Sequence, residues 1–317
     1  MRKCVESLLC GGERIEIIII NDGSADETRD IAAEYEEKYP NLIRVINQEN
    51  QGHGGGINSG IAAATGKYFK VVDSDDRLDE RSLIKTLDVL ECEDVDMLVA
   101  NYRYVHEDNR GDKSIRYGRA LPKNRVIGWD ETRILGASQY LSIHSVIFKT
   151  ETIRASGVRL PHHVFYEDNV FIYTVLPKVE KMIYLDLDLY HYTIGREGQS
   201  VQQNIIVSRY RHQMLASKTV FMTYHLADIH NTKLRRYMYH ECVMMLALAT
   251  TFARLNRTEE AERDVDKMWQ ECEAFDEKCA RRIRKRSLAA LVNLKGQVGR
   301  EIAIVLYHIT HKIIRFN

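Results

Sequence analysis

The sequence predicts an α/β fold: a Rossmann-like, mixed but mainly parallel sheet flanked by helices, followed by a helical C-terminal region. Three observations support this prediction. β-Branched apolar runs alternate with helical patterns through residues 1–204. Glycine-rich or acidic turns follow several of these runs, as is typical at the carboxyl edge of parallel strands. Strand patterns then fade, and residues 205–317 show helical periodicity.

Each predicted element rests on a local pattern. The run RIEIIII suits a buried strand, and the turn signal NDGS ends it. Ser24 and Glu27 predict a capping box at the start of the next helix. The segment QGHGGGINSGIAAATG predicts a glycine-rich turn that leads into a helix of small residues. In chain order, the predicted elements are a helix (1–9), a strand (14–20), a helix (26–39), a strand (42–48), the glycine-rich segment (51–66), a strand (67–76), a helix (79–92) and a strand (95–106).

Composition excludes several classes of protein. The 45 basic and 45 acidic residues balance, so the total charge does not suggest a nucleic-acid binder. The six cysteines form no C-x-x-C pair, which favours reduced thiols over a zinc framework. The sequence shows neither a signal-peptide pattern nor an apolar run approaching the ~20 residues that span a bilayer. We therefore expect a cytoplasmic protein, at most peripheral on the inner face of the membrane.

The stretch VVDSDDRL (71–78) places Asp73, Asp75 and Asp76 at the end of an apolar run. Clustered carboxylates repel one another, and a divalent cation such as Mg²⁺ or Mn²⁺ removes that cost. A solvated acidic turn before a helix is an equally simple interpretation. The D-x-D pattern also resembles the nucleophile strand of haloacid-dehalogenase-like phosphatases, with Asp73 as nucleophile and Asp75 as acid–base. The continuation Asp76-Arg77-Leu78 departs from the pattern of that family.

Four segments in order point to one family. They are EIIIINDGSADET, NQGHGGGINSGIAAATGKYFKVVDSDD, HHVFYEDNVF and YHYTIGREGQSV. The series resembles the family 2 glycosyltransferases, which are inverting nucleotide-sugar enzymes with the GT-A fold. The resemblance covers residues 1 to about 202 and is to the non-processive bacterial branch that builds surface polysaccharides. It implies a metal-dependent hexosyltransferase-type enzyme that takes a UDP-sugar as its expected donor.

The resemblance also implies the donor side of the site. Asp22 is expected to contact the nucleotide base or ribose, because a carboxylate accepts hydrogen bonds from N–H and hydroxyl groups. Asp75 is the expected direct ligand of Mg²⁺ or Mn²⁺, with Asp73 as the second ligand, facing the donor. For Asp76, two roles stay open: a further metal ligand or a cap of the next helix. A turn role for Asp22, and simple packing turns for the glycines, stay as alternatives. The implied donor-binding set is Asp22, Gly23, Gly52, Gly54, Asn58, Asp73 and Arg196.

On the acceptor side, the resemblance implies catalytic roles for Glu167 and Asp168. Inversion requires that an acceptor hydroxyl lose its proton as it attacks the anomeric carbon, and Asp168 is the expected general base. Glu167 would make a neighbouring contact. The alternative is an acid pair that favours a helix N-terminus. Four histidines are treated as adjacent to the site or structural, although His191 could complete the metal shell: His53, His162, His163 and His191.

The chain departs from the family pattern at both ends. The first strand that family members usually carry before the helix at 1–9 is not seen in this sequence. A misassigned start codon, a truncated chain and a reduced protein are the three explanations, and the third keeps open a nucleotide-sugar-binding relative without turnover. At the other end, residues 278–317 hold ten basic residues and one acid, a net charge of +9. Apolar residues there follow helical spacing, so this helix is predicted to pack on the catalytic domain or a second subunit, or to lie on anionic lipid. The acceptor is accordingly expected to be a saccharide or a lipid-linked saccharide.

Overall fold

The computed structural model describes residues 1–106, 112–133, 140–194, 203–287, 289–294 and 296–314. The chain divides into two compact units, which we call unit 1 (Met1–Ile194) and unit 2 (Gly195–Asn317). The sequence places the domain boundary between residues 204 and 205, and that assignment stays a prediction.

Unit 1 combines strands and helices. The strands are β1 (Ile17–Asp22), β2 (Ile43–Gln48), β3 (Tyr68–Phe69), β4 (Arg77–Leu78), β5 (Met97–His106), β6 (Lys113–Ile115), β7 (Val126–Ile127), β8 (Val146–Lys149) and β9 (Met182–Ile194). The helices are α1 (Arg2–Leu8), α2 (Thr28–Lys38), α3 (Gly52–Ala63), α4 (Glu80–Cys92), α5 (Thr150–Ser156) and α6 (Glu167–Val175).

The strands form one parallel and one mixed sheet, which confirms the mixed α/β fold class, although among the described strands antiparallel pairs outnumber the parallel pairs that the sequence predicts to prevail. In one sheet β1 and β2 pair in parallel. The order in the other sheet is β3-β8-β5-β9-β4, with β6 added to β5 and β7 added to β9. The long strands β5 and β9 run parallel at its centre, and β8 pairs antiparallel with both β3 and β5.

The hydrophobic core of unit 1 lies on β5. Four consecutive residues of this strand, Met97 to Ala100, are fully buried. Such a continuous apolar run is typical of a strand covered on both faces. Phe148 of β8 meets Phe171 of α6 edge to face, with ring centroids 5.7 Å apart. This packing fixes α6, and therefore the acidic residues at its start, against the sheet.

Three local predictions are wrong. The capping box of Ser24 and Glu27 does not form, and α2 begins at Thr28 without a side-chain cap. The third strand is regular only over Tyr68–Phe69, because the chain breaks into a turn in which the Asp76 N–H donates to the Asp73 carbonyl (3.0 Å). Asp76 does not cap α4 either. Asp79 does so, accepting a hydrogen bond from the Ser82 N–H at 2.9 Å.

Unit 2 is helical throughout its described residues, as the sequence predicts. Its core contains the fully buried Met238, Cys242, Leu246 and Trp269. Among the described helices of the chain, none is both long and apolar enough to cross a bilayer. The helices of unit 2 are α7 (Gln203–Ser208), α8 (Tyr210–Thr223), α9 (Thr232–Leu255), α10 (Glu259–Phe275), α11 (Glu277–Arg286), α12 (Ala289–Val292) and α13 (Gly296–Ile314).

The buried run on β5 yields a test of the fold. Leu98→Ala should lower the free energy of unfolding of unit 1 by about 2–5 kcal/mol, because it leaves a cavity in the core. Trp129 lies in unit 1 and Trp269 in unit 2, so a Trp269→Phe background lets urea unfolding of unit 1 be followed by Trp129 fluorescence. Leu98→Met, which conserves volume, is the control and should cost less than about 1.5 kcal/mol. Equal losses in the two variants would contradict the packing described.

Candidate active site

Acidic and histidine side chains from several elements of unit 1 converge at one place. Asp73 lies in the turn after β3, His144 lies two residues before β8, and Glu167 opens α6. Residue His53 comes from the first turn of α3. Hydrogen bonds connect these four side chains, and we call them the carboxylate–histidine cluster.

Asp73 is the centre of the cluster. Its Oδ1 lies 3.1 Å from His53 Nε2 and its Oδ2 lies 3.4 Å from His144 Nε2. The Tyr190 hydroxyl donates to the same Oδ2 (3.4 Å), and the Asp73 N–H donates back to that hydroxyl (3.2 Å). Burial alone would raise the pKa of Asp73, but the histidine hydrogen bonds and charges outweigh it and hold the pKa well below its usual range. Asp73 is therefore a carboxylate across the physiological pH range.

Asp76 lies under the same turn and is only 2 % exposed. Its Oδ1 accepts the Thr193 N–H and its Oδ2 accepts the Tyr190 hydroxyl, each at 2.7 Å. Burial raises the pKa of Asp76 to about 6, opposed by these two hydrogen bonds and reinforced by the charges of Asp73 and Asp75. A second positive charge near this turn would relieve the repulsion among the three carboxylates.

The turn and the residue His144 beside it offer a group of ligand atoms that fits a divalent cation. One ligand atom each from Asp73, Asp76 and His144 can be chosen so that all lie within 4.8 Å of one another. Two carboxylates and an imidazole suit Mn²⁺ and related cations. Asp75 is exposed on the same turn and is not part of this group among the described residues. The group contains His144 rather than His191, which lies on β9 opposite Arg77 of β4.

His53 bridges the two halves of the predicted site. Its Nδ1 lies 2.7 Å from Oε1 of Glu167, while its Nε2 lies 3.1 Å from Asp73. Burial would lower the pKa of His53, but the hydrogen bonds and charges of the two carboxylates outweigh it and raise the pKa to about 10. The imidazolium therefore joins two carboxylates that would otherwise repel each other.

Glu167 and Asp168 form the first turn of α6. Glu167 is 3 % exposed, and His53 is its side-chain partner in the cluster. Asp168 is half-buried, and its Oδ1 accepts a hydrogen bond from the Asn169 amide at 3.0 Å. Burial, followed by the charge of Glu167, raises the pKa of Asp168. The adjacent carboxylates thus differ: one is fixed by His53 and the other has a raised affinity for a proton.

The first turn of α3 also reaches the end of β1. Oδ1 of Asp22 accepts the Gln51 N–H at 2.9 Å and the Gln48 amide at 2.7 Å. Gly23 follows with φ +73°. Asp22 is therefore hydrogen-bonded to Gln51, which precedes His53 by two positions in the chain. It lies at the edge where the resemblance expects the nucleotide. Its predicted contact with the donor stays a prediction.

Two predicted donor-binding glycines allow a close approach of main chains. Gly52 has φ +77°, and a Cβ there would lie 2.9 Å from the His163 nitrogen. A Cβ at Gly54 would lie 2.7 Å from the Pro161 carbonyl oxygen. The glycines therefore permit the chain before α6 to lie against α3, which sets the reach of Glu167 to His53. In the structure their evident role is this packing, and direct contact with a donor stays a prediction.

Asn58 fixes the same junction. Its amide donates to the Leu160 carbonyl (2.9 Å) and its Oδ1 accepts the Leu160 N–H (3.0 Å). The chain that follows is strained, since His163 and Tyr166 both have positive φ. Asn58 thus positions the loop before α6, and its predicted contact with the donor stays a prediction. Arg196, the other predicted donor-side residue, lies outside the described residues.

Sequence reasoning missed His144, Tyr190 and Lys70. His144 packs between two tyrosine rings, with centroids 4.7 Å from Tyr190 and 4.6 Å from Tyr192. Lys70 Nζ donates to the His144 carbonyl at 2.9 Å, and burial lowers the pKa of this lysine to about 7. The overlooked signal is a histidine two residues before an apolar run. An antiparallel strand brings its first residues to the edge at which parallel strands end.

Comparisons with known proteins identify the family of the chain. The family model described as "Glycosyl transferase family 2" matches residues 1–147. A relative named as a glycosyltransferase, EpsH of Bacillus subtilis (strain 168), is 30 % identical over 270 residues, which cover 81 % of this chain and 73 % of EpsH.

Solved structures match over nearly the whole chain. TarS 1–349 of S. aureus, solved in complex with UDP-GlcNAc, has a TM-score of 0.68 at 18 % identity and covers 97 % of this chain and 87 % of its own. The mannosyltransferase PcManGT of Pyrobaculum calidifontis, solved with GDP-Man and Mn²⁺, has a TM-score of 0.50 at 12 % identity and covers 96 % and 81 %. At such identities the likeness shows the fold, which is GT-A. The identity and coverage shared with EpsH, together with the family model, show that the chain belongs to glycosyltransferase family 2 and is a glycosyltransferase.

Proposed function

We propose that the chain catalyses metal-dependent, inverting transfer of a sugar from a nucleotide-sugar, with a UDP-sugar as the expected donor. The acceptor is a saccharide or a lipid-linked saccharide in the synthesis of a cell-surface polysaccharide. The observation that supports this best is the His53 bridge, which places the metal-side carboxylate Asp73 and the acceptor-side pair at Glu167 in one hydrogen-bonded unit. The UDP-GlcNAc complex of TarS and the Mn²⁺ complex of PcManGT support the choice of ligands.

The donor side would hold the diphosphate of the nucleotide. Asp73, Asp76 and His144 would hold Mg²⁺ or Mn²⁺, with Asp75 as an exposed additional ligand. When bound, the cation would neutralise charge that develops on the leaving nucleoside diphosphate. Asp22 would accept hydrogen bonds from the base or ribose, and Arg196 would contribute to phosphate binding. Tyr190 and Lys70 keep the metal ligands in place, since Tyr190 contacts Asp76 and Lys70 contacts the His144 carbonyl.

Asp168 is the better candidate for the general base of the acid pair. Glu167 is buried and already bonded to His53, so its carboxylate is committed to positioning. Asp168 has a raised pKa and therefore a stronger tendency to take a proton than an ordinary carboxylate. The acceptor hydroxyl would give its proton to Asp168 as its oxygen attacks the anomeric carbon, and the configuration at that carbon would invert.

The two alternatives from the sequence fare differently. Family membership disfavours an aspartate-nucleophile phosphatase. A relative that binds the nucleotide-sugar without turnover would bind UDP but transfer no sugar. The transfer assay on the unmodified protein in the first experiment below separates it from an enzyme.

Asp168→Asn should lower kcat by about 10²–10⁴-fold, because the amide cannot take the acceptor proton. Binding of the nucleotide should survive. In the unmodified protein, kcat should fall as the pH drops through the pKa of Asp168, which lies above the usual carboxyl value of about 3.9. Sugar transfer is measured against pH with calorimetric UDP titration alongside. Asp94→Asn, at a surface carboxylate paired with Lys67 and Lys149, is the control. Normal turnover of Asp168→Asn would remove it as base.

His144→Ala should weaken Mn²⁺-dependent UDP binding by at least about tenfold, since it removes one of the proposed metal ligands. Asp75→Ala, run in parallel, tests whether the exposed carboxylate also contributes. Calorimetric titration with UDP, with and without Mn²⁺, gives both affinities. His191→Ala is the matched histidine control and should change them less than about twofold. A loss confined to the His191 variant would contradict the assignment of the metal site.

His53→Ala should lower kcat by about tenfold to a hundredfold, because Asp73 and Glu167 would move apart without the bridging imidazole. The KM for the donor should change less, since His53 is not proposed to contact it. Steady-state kinetics against donor concentration measure the two effects separately. His162→Ala removes an exposed histidine of the neighbouring loop and should stay near the unmodified values. An unchanged kcat in the His53 variant would show that the bridge is dispensable.

A further inference from the structure

Helix α13 carries an apolar stripe that is exposed within the described residues of unit 2. Val298 is 74 % exposed, Val305 54 % and Ile309 49 %, and Ile302 is half-buried between them. The spacing of four, three and four residues places these side chains on one face of the helix. Ala303 and Ile304 are buried, so the inward face of the helix is already satisfied. The stripe is a second apolar face without a described partner.

More exposed apolar surface directly precedes this helix. Leu291 is 51 % exposed and Leu294 44 %. Of the eight large apolar side chains that are exposed in the described part of the chain, five lie between residues 291 and 309. Single exposed apolar residues are normal on a protein surface, but a group of them marks an interaction site.

The same segment concentrates positive charge. Residues 278–317 carry a net charge of +9, and because the whole chain is neutral, residues 1–277 carry −9. Some of the basic side chains have structural partners: Arg281 pairs with Glu277, and Arg284 pairs with Asp266 and Glu273. Lys285 and Arg286 lie exposed at the end of α11. A separation of charge this large favours a strongly acidic partner for the C-terminal end.

Charge decides between the occupants of this surface. A second copy of the chain that docks through the same face would bring two segments of +9 together, and the apolar contact would have to overcome their repulsion. A membrane rich in anionic lipid supplies opposite charge at its surface and hydrocarbon directly beneath it. We propose that α11–α13 dock on an anionic lipid surface, with Val298, Ile302, Val305 and Ile309 entering the boundary between headgroups and acyl chains.

This inference deepens the proposed function, on which it rests for its purpose: an enzyme held at the lipid surface would meet a lipid-linked acceptor there. No residue of the proposed lipid-binding surface belongs to the active site. The two can therefore fail separately. Asp168→Asn, which should lose transfer, should bind vesicles as the unmodified chain does.

The test is co-sedimentation of the full chain with vesicles of phosphatidylcholine alone or with about 30 % phosphatidylglycerol, at about 0.1 M and about 0.5 M NaCl. We expect binding only to the anionic vesicles, weakened at least about tenfold by the higher salt. The double variant Val298→Asp/Val305→Asp should reduce binding at least about tenfold, because it places charge within the stripe. Lys285→Gln/Arg286→Gln should reduce it by about tenfold through the charge alone.

The matched control is Leu215→Asp/Met222→Asp on α8. These residues are 40 % and 38 % exposed and have the same seven-residue spacing, so the control adds the same charge to a different helix. It should leave vesicle binding within about twofold of the unmodified chain. Absence of binding to anionic vesicles would overturn the proposal. Equal losses of binding in Val298→Asp/Val305→Asp and in the control Leu215→Asp/Met222→Asp would overturn it as well. So would a dimer seen by analytical ultracentrifugation that only the α13 variant dissociates, since that result would assign the stripe to a second copy.

Discussion

The bridge from Asp73 through His53 to Glu167 is the constraint on which the rest of the site depends. A carboxylate as buried as Glu167 is costly without a charged or hydrogen-bonding partner. His53 is that partner, and its other nitrogen is bonded to Asp73. The imidazolium of His53 lies between two carboxylates, and its positive charge stabilises the negative charge of both. The start of α6 and the turn after β3 are consequently held at fixed separation by a single side chain.

The position of His53 is itself determined by main-chain contacts. Asp22 accepts the Gln51 N–H, and the Gln51 carbonyl accepts the His163 N–H at 2.9 Å. Gly52 and Gly54 leave room for the loop before α6, which any side chain at those positions would push away. The ends of two separate sheets and a strained loop therefore meet at one helical turn. Gly52 and Gly54 make room for these main-chain segments to meet, and the hydrogen bonds of His53 then connect them.

Unit 2 contributes chemistry of a different kind. Its helices bury a conventional core around Trp269, yet α13 presents apolar side chains outward next to a strongly basic segment. In a soluble assembly such a face is normally covered. The acidic and basic parts of the chain are separated along the sequence, so the two units have opposite electrostatic preferences. Docking on lipid would use this difference and would leave the carboxylates of unit 1 with their own partners.

The sequence by itself determined the elements and the family. Alternation of apolar runs with helical patterns predicted the mixed α/β unit and the helical remainder, because burial periodicity is local information. The resemblance of the ordered motifs to family 2 glycosyltransferases identified Asp22, Asp73, Asp75, Glu167 and Asp168 as candidates. Asp79 rather than Asp76 caps α4, a choice that depended on where the chain turned after β3.

Only the tertiary structure decided which of these side chains meet. His144 joins Asp73 because β8 runs antiparallel to β3, and strand direction is a property of pairing that no local pattern contains. His53 and Glu167 are 114 residues apart in sequence, and their contact exists because two glycines admit the intervening loop. The stripe on α13 was visible as helical spacing, but its exposure was not, since spacing defines a face without saying what covers it.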